Sequence, residues 1–295
     1  MSENLLAKYA KSFNWAGFFL PSNEYNKSLI VYNYCRTLDD IVDGNEDLYF
    51  SLNNNPSGEY KGLTPKEILR LYKKYWQTKT DHEPVTTNMW KLFEKENISR
   101  KIVDDLFDGL ETDLSEKIKI KTKKDLLIYC YRVAGTVGLM MAKVLKVADK
   151  KAFKGAVDLG IAMQLTNISR DVIEDGKRNR EYIEPNFEEI KKNILLADKF
   201  YNSSFSSIAK IPFRFRFAIL VARRIYRQIG RKILEKQTME GYKKSGKIYV
   251  SNLGKIVQTF LSIYDFILLL LFNPIDNLNL EEHEIINEEI NLDER

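Results

Sequence analysis

Gln164-Leu-Thr-Asn167-Ile-Ser-Arg170-Asp171-Val-Ile-Glu-Asp175 is the stretch that decides the fold of this chain. Gln164, Asn167, Asp171 and Asp175 stand at i, i+3, i+7 and i+11, the spacing that gathers side chains on one face of an α-helix. Further back the same stripe carries Gly160 and Ala156, with Met163 nearby. One face thus runs from small and greasy, through amide, to acidic. An ordinary core helix does not bury such a stripe without partners, because unpaired buried polar groups are costly. A polar seam between two helices is the plain alternative. The gradient suits an amphipathic ligand with an oily tail and a phosphate head, its phosphates bridged to the carboxylates by Mg²⁺, which prefers oxygen ligands.

Helix signals continue outward in both directions. Asp149 begins the long helix, which ends near Gly176. Pro21-Ser22 opens a helix that Gly44 closes. Thr64-Pro65-Lys66-Glu67 combines an N-cap, a first-turn proline and a capping-box glutamate. Ser99 opens Arg100–Leu110, Thr122 with Asp125 starts a helix through Leu145, and Asn186 and Pro212 start two more. Asn53–Tyr60 and Thr78–Thr87 read as loops. No alternating strand pair and no Asn-Gly or Asp-Gly hairpin stands between β-branched runs. The pattern predicts an all-α domain over residues 1–275, followed by an acidic C-terminal tail, 276–295, expected to be disordered.

The composition bounds the function classes. The chain has 295 residues, 44% of them hydrophobic, and a formal charge of +5. Residues 276–295 hold eight acids and one base, so the preceding body is strongly basic. A basic body attracts nucleic acid, anionic lipid or a phosphorylated small molecule. The two cysteines, Cys35 and Cys130, lie in apolar helical patterns and read as core thiols of a reducing compartment. With only His82 and His283, the zinc HExxH and di-iron Glu-x-x-His patterns are excluded. Gly241–Lys247 misses a P-loop, because Ile248 replaces the Ser or Thr and no strand precedes it. The N-terminus lacks the basic flank and apolar run of a signal peptide. The greasiest segment, Phe260–Phe272, is too short to span a bilayer and contains Asp265.

Further candidates surround the long helix. Asp39 and Asp43 are four apart and share a helix face, with Tyr32, Arg36 and Asp40 on nearly the same stripe. Alone, this cluster reads more readily as a solvated helix end. Lys177, Arg178 and Arg180 follow the second acidic run and suit a diphosphate. Tyr129–Met141 carries a small-residue ridge, Ala134, Gly138 and Ala142 with Gly135 beside it. Such a ridge serves close helix packing or leaves a channel for a long chain. Tyr129 and Tyr131 offer ring faces to a carbocation, though aromatics on helices more often serve the core.

Together these stretches resemble the squalene/phytoene synthase family. Tyr34-Cys-Arg-Thr-Leu-Asp-Asp-Ile-Val-Asp-Gly44 is similar to its first aspartate-rich motif, and Gln164–Asp175 to its second. Ser12-Phe13 with Phe19-Leu-Pro21, Asp108-Gly109 with Asp113-Leu114, Tyr129–Met140, and Gly241-Tyr242 with Tyr249-Val-Ser251 follow in family order. The resemblance covers roughly residues 10–260. The chain departs from the pattern at Lys247, where arginine is usual, and in the extra residue of Arg180-Glu-Tyr-Ile-Glu-Pro185.

The resemblance implies an isoprenoid-synthase helical bundle with a central active-site cavity. It implies metal ligation by Asp39, Asp43, Asn167, Asp171 and Asp175, the four aspartates being catalytic together with Tyr129. It implies substrate contacts from Ser12, Phe13, Tyr32, Arg36, Gln164, Asn167, Arg170, Arg178, Tyr242 and Lys247. The expected cofactor is Mg²⁺, with Mn²⁺ as a substitute and no NADPH. The expected reaction joins two geranylgeranyl diphosphates head to head, through a cyclopropyl (prephytoene) diphosphate, to phytoene of carotenoid biosynthesis. Val133–Met140 looks more like the phytoene branch, and the glycines and alanines at 134, 135, 138, 142, 156 and 160 would lengthen the cavity for the longer chain. A squalene or dehydrosqualene synthase using two farnesyl diphosphates is the rival within the family. A non-catalytic basic helical binding protein is the rival outside it. The expected partners are prenyl diphosphates, membrane lipid touched peripherally at the cytoplasmic inner face, and neighbouring carotenoid-pathway enzymes, with no nucleic acid.

Overall fold

The computed structural model describes residues 11–45, 59–81, 83–272 and 280–288. Thirteen α-helices occur among them: α1 Lys11–Gly17, α2 Ser22–Val42, α3 Pro65–Thr78, α4 Pro84–Glu96, α5 Lys101–Asp113, α6 Lys123–Cys130, α7 Thr136–Val144, α8 Lys150–Lys177, α9 Phe187–Ile208, α10 Phe213–Leu234, α11 Met239–Lys244, α12 Asn252–Leu271 and α13 Glu281–Asn287. A π-helical turn, Tyr131–Gly135, joins α6 to α7. Two-residue strands β1, Ile118–Lys119, and β2, Arg180–Glu181, pair in parallel. The all-α expectation is met, with this one short bridge added.

Local chemistry explains the boundaries. Thr64 and Glu67 form the reciprocal capping box at the head of α3. The Asp149 carboxylate accepts from the backbone N–H of Lys151 and Ala152 and starts α8. Asn186 caps α9 and Ser251 caps α12 in the same way. The expected loop at Thr78–Thr87 ends sooner than the sequence suggested. Glu83 accepts from the Thr86 N–H and Pro84 takes the first turn, so α4 starts there. Asn53–Gly58 of the other expected loop lie outside the described residues.

The 28-residue α8 is the central element, packed by α6, α7, α9 and α10. α2 packs instead on α3, α4, α5 and α7. Both therefore lean on α7 while sharing little direct contact, which leaves a cleft between their polar faces.

The glycine ridge does not line that cleft. A Cβ on Gly138 would stand 2.1 Å from the Ala156 carbonyl oxygen, and one on Gly160 would stand 2.2 Å from that of Ala134. Here α8 crosses the π-helical turn and α7 backbone to backbone, an approach only glycine permits. At Gly138 and Gly160 the expectation of added cavity length is corrected, because the neighbouring helix fills the space there.

The tail expectation also changes over residues 280–288. Helix α13 docks on α6. Glu282 is 1% exposed and accepts from Lys123 at 2.7 Å and Lys199 at 3.1 Å. His283 meets the buried Asp158 at 2.9 Å. A segment read as a solvated acidic run is held by complementary charge. Residues 276–279 and 289–295 lie outside the described residues.

Candidate active site

Asp39 and Asp43 end α2, and Asp171 and Asp175 end α8. The last turns of the two helices are tied across the cleft. Arg180, fixed by β2, donates to Asp43 at 2.5 Å, and Arg178 reaches the other Asp43 oxygen at 2.8 Å. Arg180 also donates to the carbonyls of Val42 and Asp113 at 3.5 and 3.4 Å. Of the two bases Arg180 is the buried one, with 12% side-chain exposure against 55% for Arg178. The sequence reading gave Arg178 to the diphosphate; in the structure both bases hold Asp43, and Arg180, the buried one, anchors the site.

The carboxylates crowd one another. Burial pushes the Asp39 carboxyl up to about 7, with Asp43 as the next cause and Asp113 contributing. Burial likewise pushes Asp175 up to about 7, helped by Asp171 and by Asp43 from the other motif, and opposed by Arg180 and Arg178. The Asp39 side chain is nevertheless half exposed. A carboxylate that water reaches, yet protein surrounds, stands at the wall of a cleft rather than on the outer surface. Asp40, by contrast, is buried and bonded to Arg36 and Asn45.

Arg36, Arg170 and Lys247, like Arg178 and Arg180, each hold a carboxylate. Arg36 reaches Asp39 at 3.2 Å. Arg170 grips Asp171 with Nε and Nη2 at 2.8 and 2.5 Å. Lys247 sits 2.7 Å from Glu174 and 3.5 Å from Asp171. The site is salt-bridged to itself. A divalent cation on the carboxylates would free these bases for the oxygens of a diphosphate.

The donors fit such a cation. All are hard oxygen ligands, and the Asn167 Oδ1 is buried without a hydrogen-bond partner while its amide donates to Gln164 at 3.3 Å. Raised pKa values at Asp39 and Asp175 mark negative charge that a cation would relieve. Asp39, Asp43, Asn167, Asp171 and Asp175 are therefore the residues that would hold it. In the present arrangement no three acidic, cysteine or histidine side chains among the described residues already converge at ligating distance.

The remaining expected residues fall into two groups. Tyr32 and Phe13 lie beside Tyr226 of α10. The Phe13 and Tyr226 rings lie 5.0 Å apart. Tyr226 is raised chiefly by burial, with Arg170 and Asp171 near enough to act on it, and it acts in turn on Tyr32. Ser12 is half-buried at the start of α1. Tyr242 and Tyr129 work from behind. The Tyr242 hydroxyl donates to the Ser169 and Arg170 carbonyls at 3.0 and 2.5 Å, bracing the turn that presents Asp171.

Tyr129 donates to the buried Asp113 at 2.9 Å and stacks on Tyr182 at 4.9 Å. Tyr182 donates to the other Asp113 oxygen at 2.6 Å. Tyr129 thus positions Asp113, and one of its ring faces is covered rather than offered to a cation. The sequence reading assigned no role to Asp113, Tyr182 or Tyr226. Only the Asp113-Leu114 and Arg180–Pro185 motifs hinted at the first two, and nothing in the local pattern marked Tyr226.

An all-α bundle whose two acidic helix ends face each other across a cleft, each matched by arginines, defines a class: enzymes that bind diphosphates through divalent metal. A model of the family described as squalene/phytoene synthase matches residues 6–185. The chain belongs to this squalene/phytoene synthase family, whose members are divalent-metal-dependent prenyltransferases acting on prenyl diphosphates.

Among its relatives, the 15-cis-phytoene synthase of Enterobacter agglomerans is 30% identical over 249 residues, covering 77% of this chain and 82% of that protein. The 15-cis-phytoene synthase of a Paracoccus species is 29% identical, covering 86% and 87%. A crystal structure of a dehydrosqualene synthase in complex with ligand superposes with a TM-score of 0.68 at 26% identity, covering 88% of this chain and 93% of that one.

Proposed function

We propose that this chain condenses two geranylgeranyl diphosphates head to head, through a cyclopropyl diphosphate, into 15-cis-phytoene, releasing diphosphate at both ionisations. The observation that carries the reading is the pairing of Asp43 with Arg178 and Arg180, which ties the two aspartate motifs into one site. Similarity to phytoene synthases from several bacteria supports the twenty-carbon substrate.

Mg²⁺, or Mn²⁺ in its place, held by Asp39, Asp43, Asn167, Asp171 and Asp175, would supply charge neutralisation for the departing diphosphate. Arg36, Arg170, Arg178 and Lys247 bind the diphosphate oxygens as they leave their carboxylates. Arg180 stays on Asp43 and keeps the two helix ends in register. Gln164 orients Asn167, and Tyr242 holds the Ser169–Arg170 turn. Phe13, Tyr32 and Tyr226 bound the cleft, excluding water from an allylic cation and offering it ring faces. Loss of a proton ends the sequence without a nicotinamide.

Purified protein given labelled geranylgeranyl and farnesyl diphosphates, Mg²⁺ and NADPH should yield a forty-carbon hydrocarbon with no NADPH consumed. A dominant thirty-carbon product, or NADPH oxidation matched to product, would transfer the assignment to the squalene-type reaction.

A further inference from the structure

Helix α12 presents an apolar face that none of the described residues covers. Leu253 is 72% exposed, Phe260 67%, Tyr264 61% and Leu271 71%, and Phe272 continues the face at 63%. The only charged residues of the helix, Lys255 and Asp265, are turned inward and buried. The Phe213 ring, 58% exposed, extends the patch from α10 through Phe266, 5.1 Å away. The helix has 20 residues and is apolar enough to cross a membrane. The estimate of a segment too short to span is therefore corrected. Its inner seam nevertheless packs on α10, where Asp265 takes two bonds from Arg224, at 2.5 and 2.6 Å. That seam fits a helix lying along an interface rather than one threaded through lipid.

A cavity of about 230 Å³ opens beside this face, between α9, α10 and α12, lined by Arg223, Arg224, Arg227, Arg231 and Asp265 among others. Four guanidiniums there meet one carboxylate in the wall, and Asp198 outside it takes only the Nε of Arg227. Arg231 is exposed and, among the described residues, holds no carboxylate. Burial, then Arg227, pulls the Arg223 guanidinium down to about 10, the direction expected where cations exceed anions. Leu268 lines the cavity and shares its stripe with Leu261 and Tyr264, so the cavity mouth borders the apolar face.

We propose that this cavity seats the phosphate headgroup of an anionic membrane lipid while the outer face of α12 lies among the acyl chains. The phosphate needs several guanidinium donors at once, and the acyl chains of the same molecule need an apolar surface within reach. Both are present and adjacent. A second copy of the chain is disfavoured as the occupant, because a two-fold contact through this face would set one arginine cavity against another.

The full chain should float with phosphatidylcholine vesicles weakly, and strongly once phosphatidylglycerol is included. Arg227→Gln with Arg231→Gln should weaken binding to the anionic vesicles roughly thirtyfold, at about fivefold per arginine near the surface. Lys191→Gln with Lys192→Gln removes the same charge from the exposed surface of α9 and should change binding far less. Phe260→Ser with Ile267→Ser should abolish binding to both vesicle types. All three double variants should keep the parent melting temperature, and turnover of detergent-dispersed substrate should be unchanged. The proposal is overturned if the arginine pair behaves like the lysine pair. It is overturned too if soluble inorganic phosphate displaces the protein from anionic vesicles at millimolar concentration, which would mark a free-phosphate site. Unchanged vesicle binding with loss of a dimer in the Phe260/Ile267 variant would overturn it in favour of self-association.

Discussion

Asp175→Asn separates what the acidic site costs the fold from what it gives the reaction. The Asp175 carboxyl is pushed up to about 7 by burial and by Asp171 and Asp43. An unfolded aspartate titrates near 4, and a shift of roughly three units corresponds to about 4 kcal/mol. The side chain is only partly buried, so solvent screening reduces this to on the order of 1–2 kcal/mol. The raised value means that the native state keeps a proton the unfolded chain has already lost. Metal-free stability should therefore fall as pH climbs between about 4 and 7, and stay low above that. Asparagine cannot ionise and removes that fall. In chelator, the variant should melt roughly 2–3 °C above the parent near pH 8, with the gain vanishing near pH 4. With metal and substrate its turnover should drop by more than about a hundredfold, and the metal-induced rise in melting temperature should shrink. Thermal melts with and without Mg²⁺, beside product assays, read both halves. A variant that melts below the parent near pH 8 in chelator, or that turns over substrate normally at saturating metal, would refute the reasoning.

Other residues give contrasting outcomes. Arg180→Gln leaves Asp43 held by Arg178 alone and should cost about 2–3 kcal/mol in urea unfolding, whereas Arg178→Gln should leave stability unchanged and raise KM. Gly160→Ala forces a Cβ against the Ala134 carbonyl and should cost more than about 2 kcal/mol or block soluble expression. Tyr129→Phe removes one of two hydroxyl donors to the buried Asp113 and should cost about 1–3 kcal/mol by the same unfolding assay.

Much of the fold was legible because its helices announce themselves with local caps. Thr64, Thr122, Asp149 and Asn186 each accept backbone N–H bonds where the sequence placed them. The start of α4 was missed because glutamate is an uncommon cap. The two aspartate motifs were legible because their spacing survives without a partner in view. The anchoring role of Arg180 was not, nor were Asp113, Tyr182 and Tyr226, since each draws its meaning from a contact with a distant element. Arg180 meets Asp43 from 137 positions away, and Tyr182 meets Asp113 from 69. The small-residue ridge shows the converse: glycine beside a cleft and glycine under a crossing helix look identical in a sequence.

The docking of α13 bears on how the end of the chain is handled. By sequence, everything after residue 275 resembles a dispensable acidic tail. In the fold, Glu282 plugs a gap between Lys123 and Lys199, and His283 shares the buried Asp158 with Ser203. A chain shortened before residue 280 would leave Asp158 with a single hydroxyl donor. It would also uncover the surface of α6, the helix that runs through the π-helical turn into the wall of the cleft. Helix α13 is thus a fastener for the back of the catalytic bundle rather than a loose end.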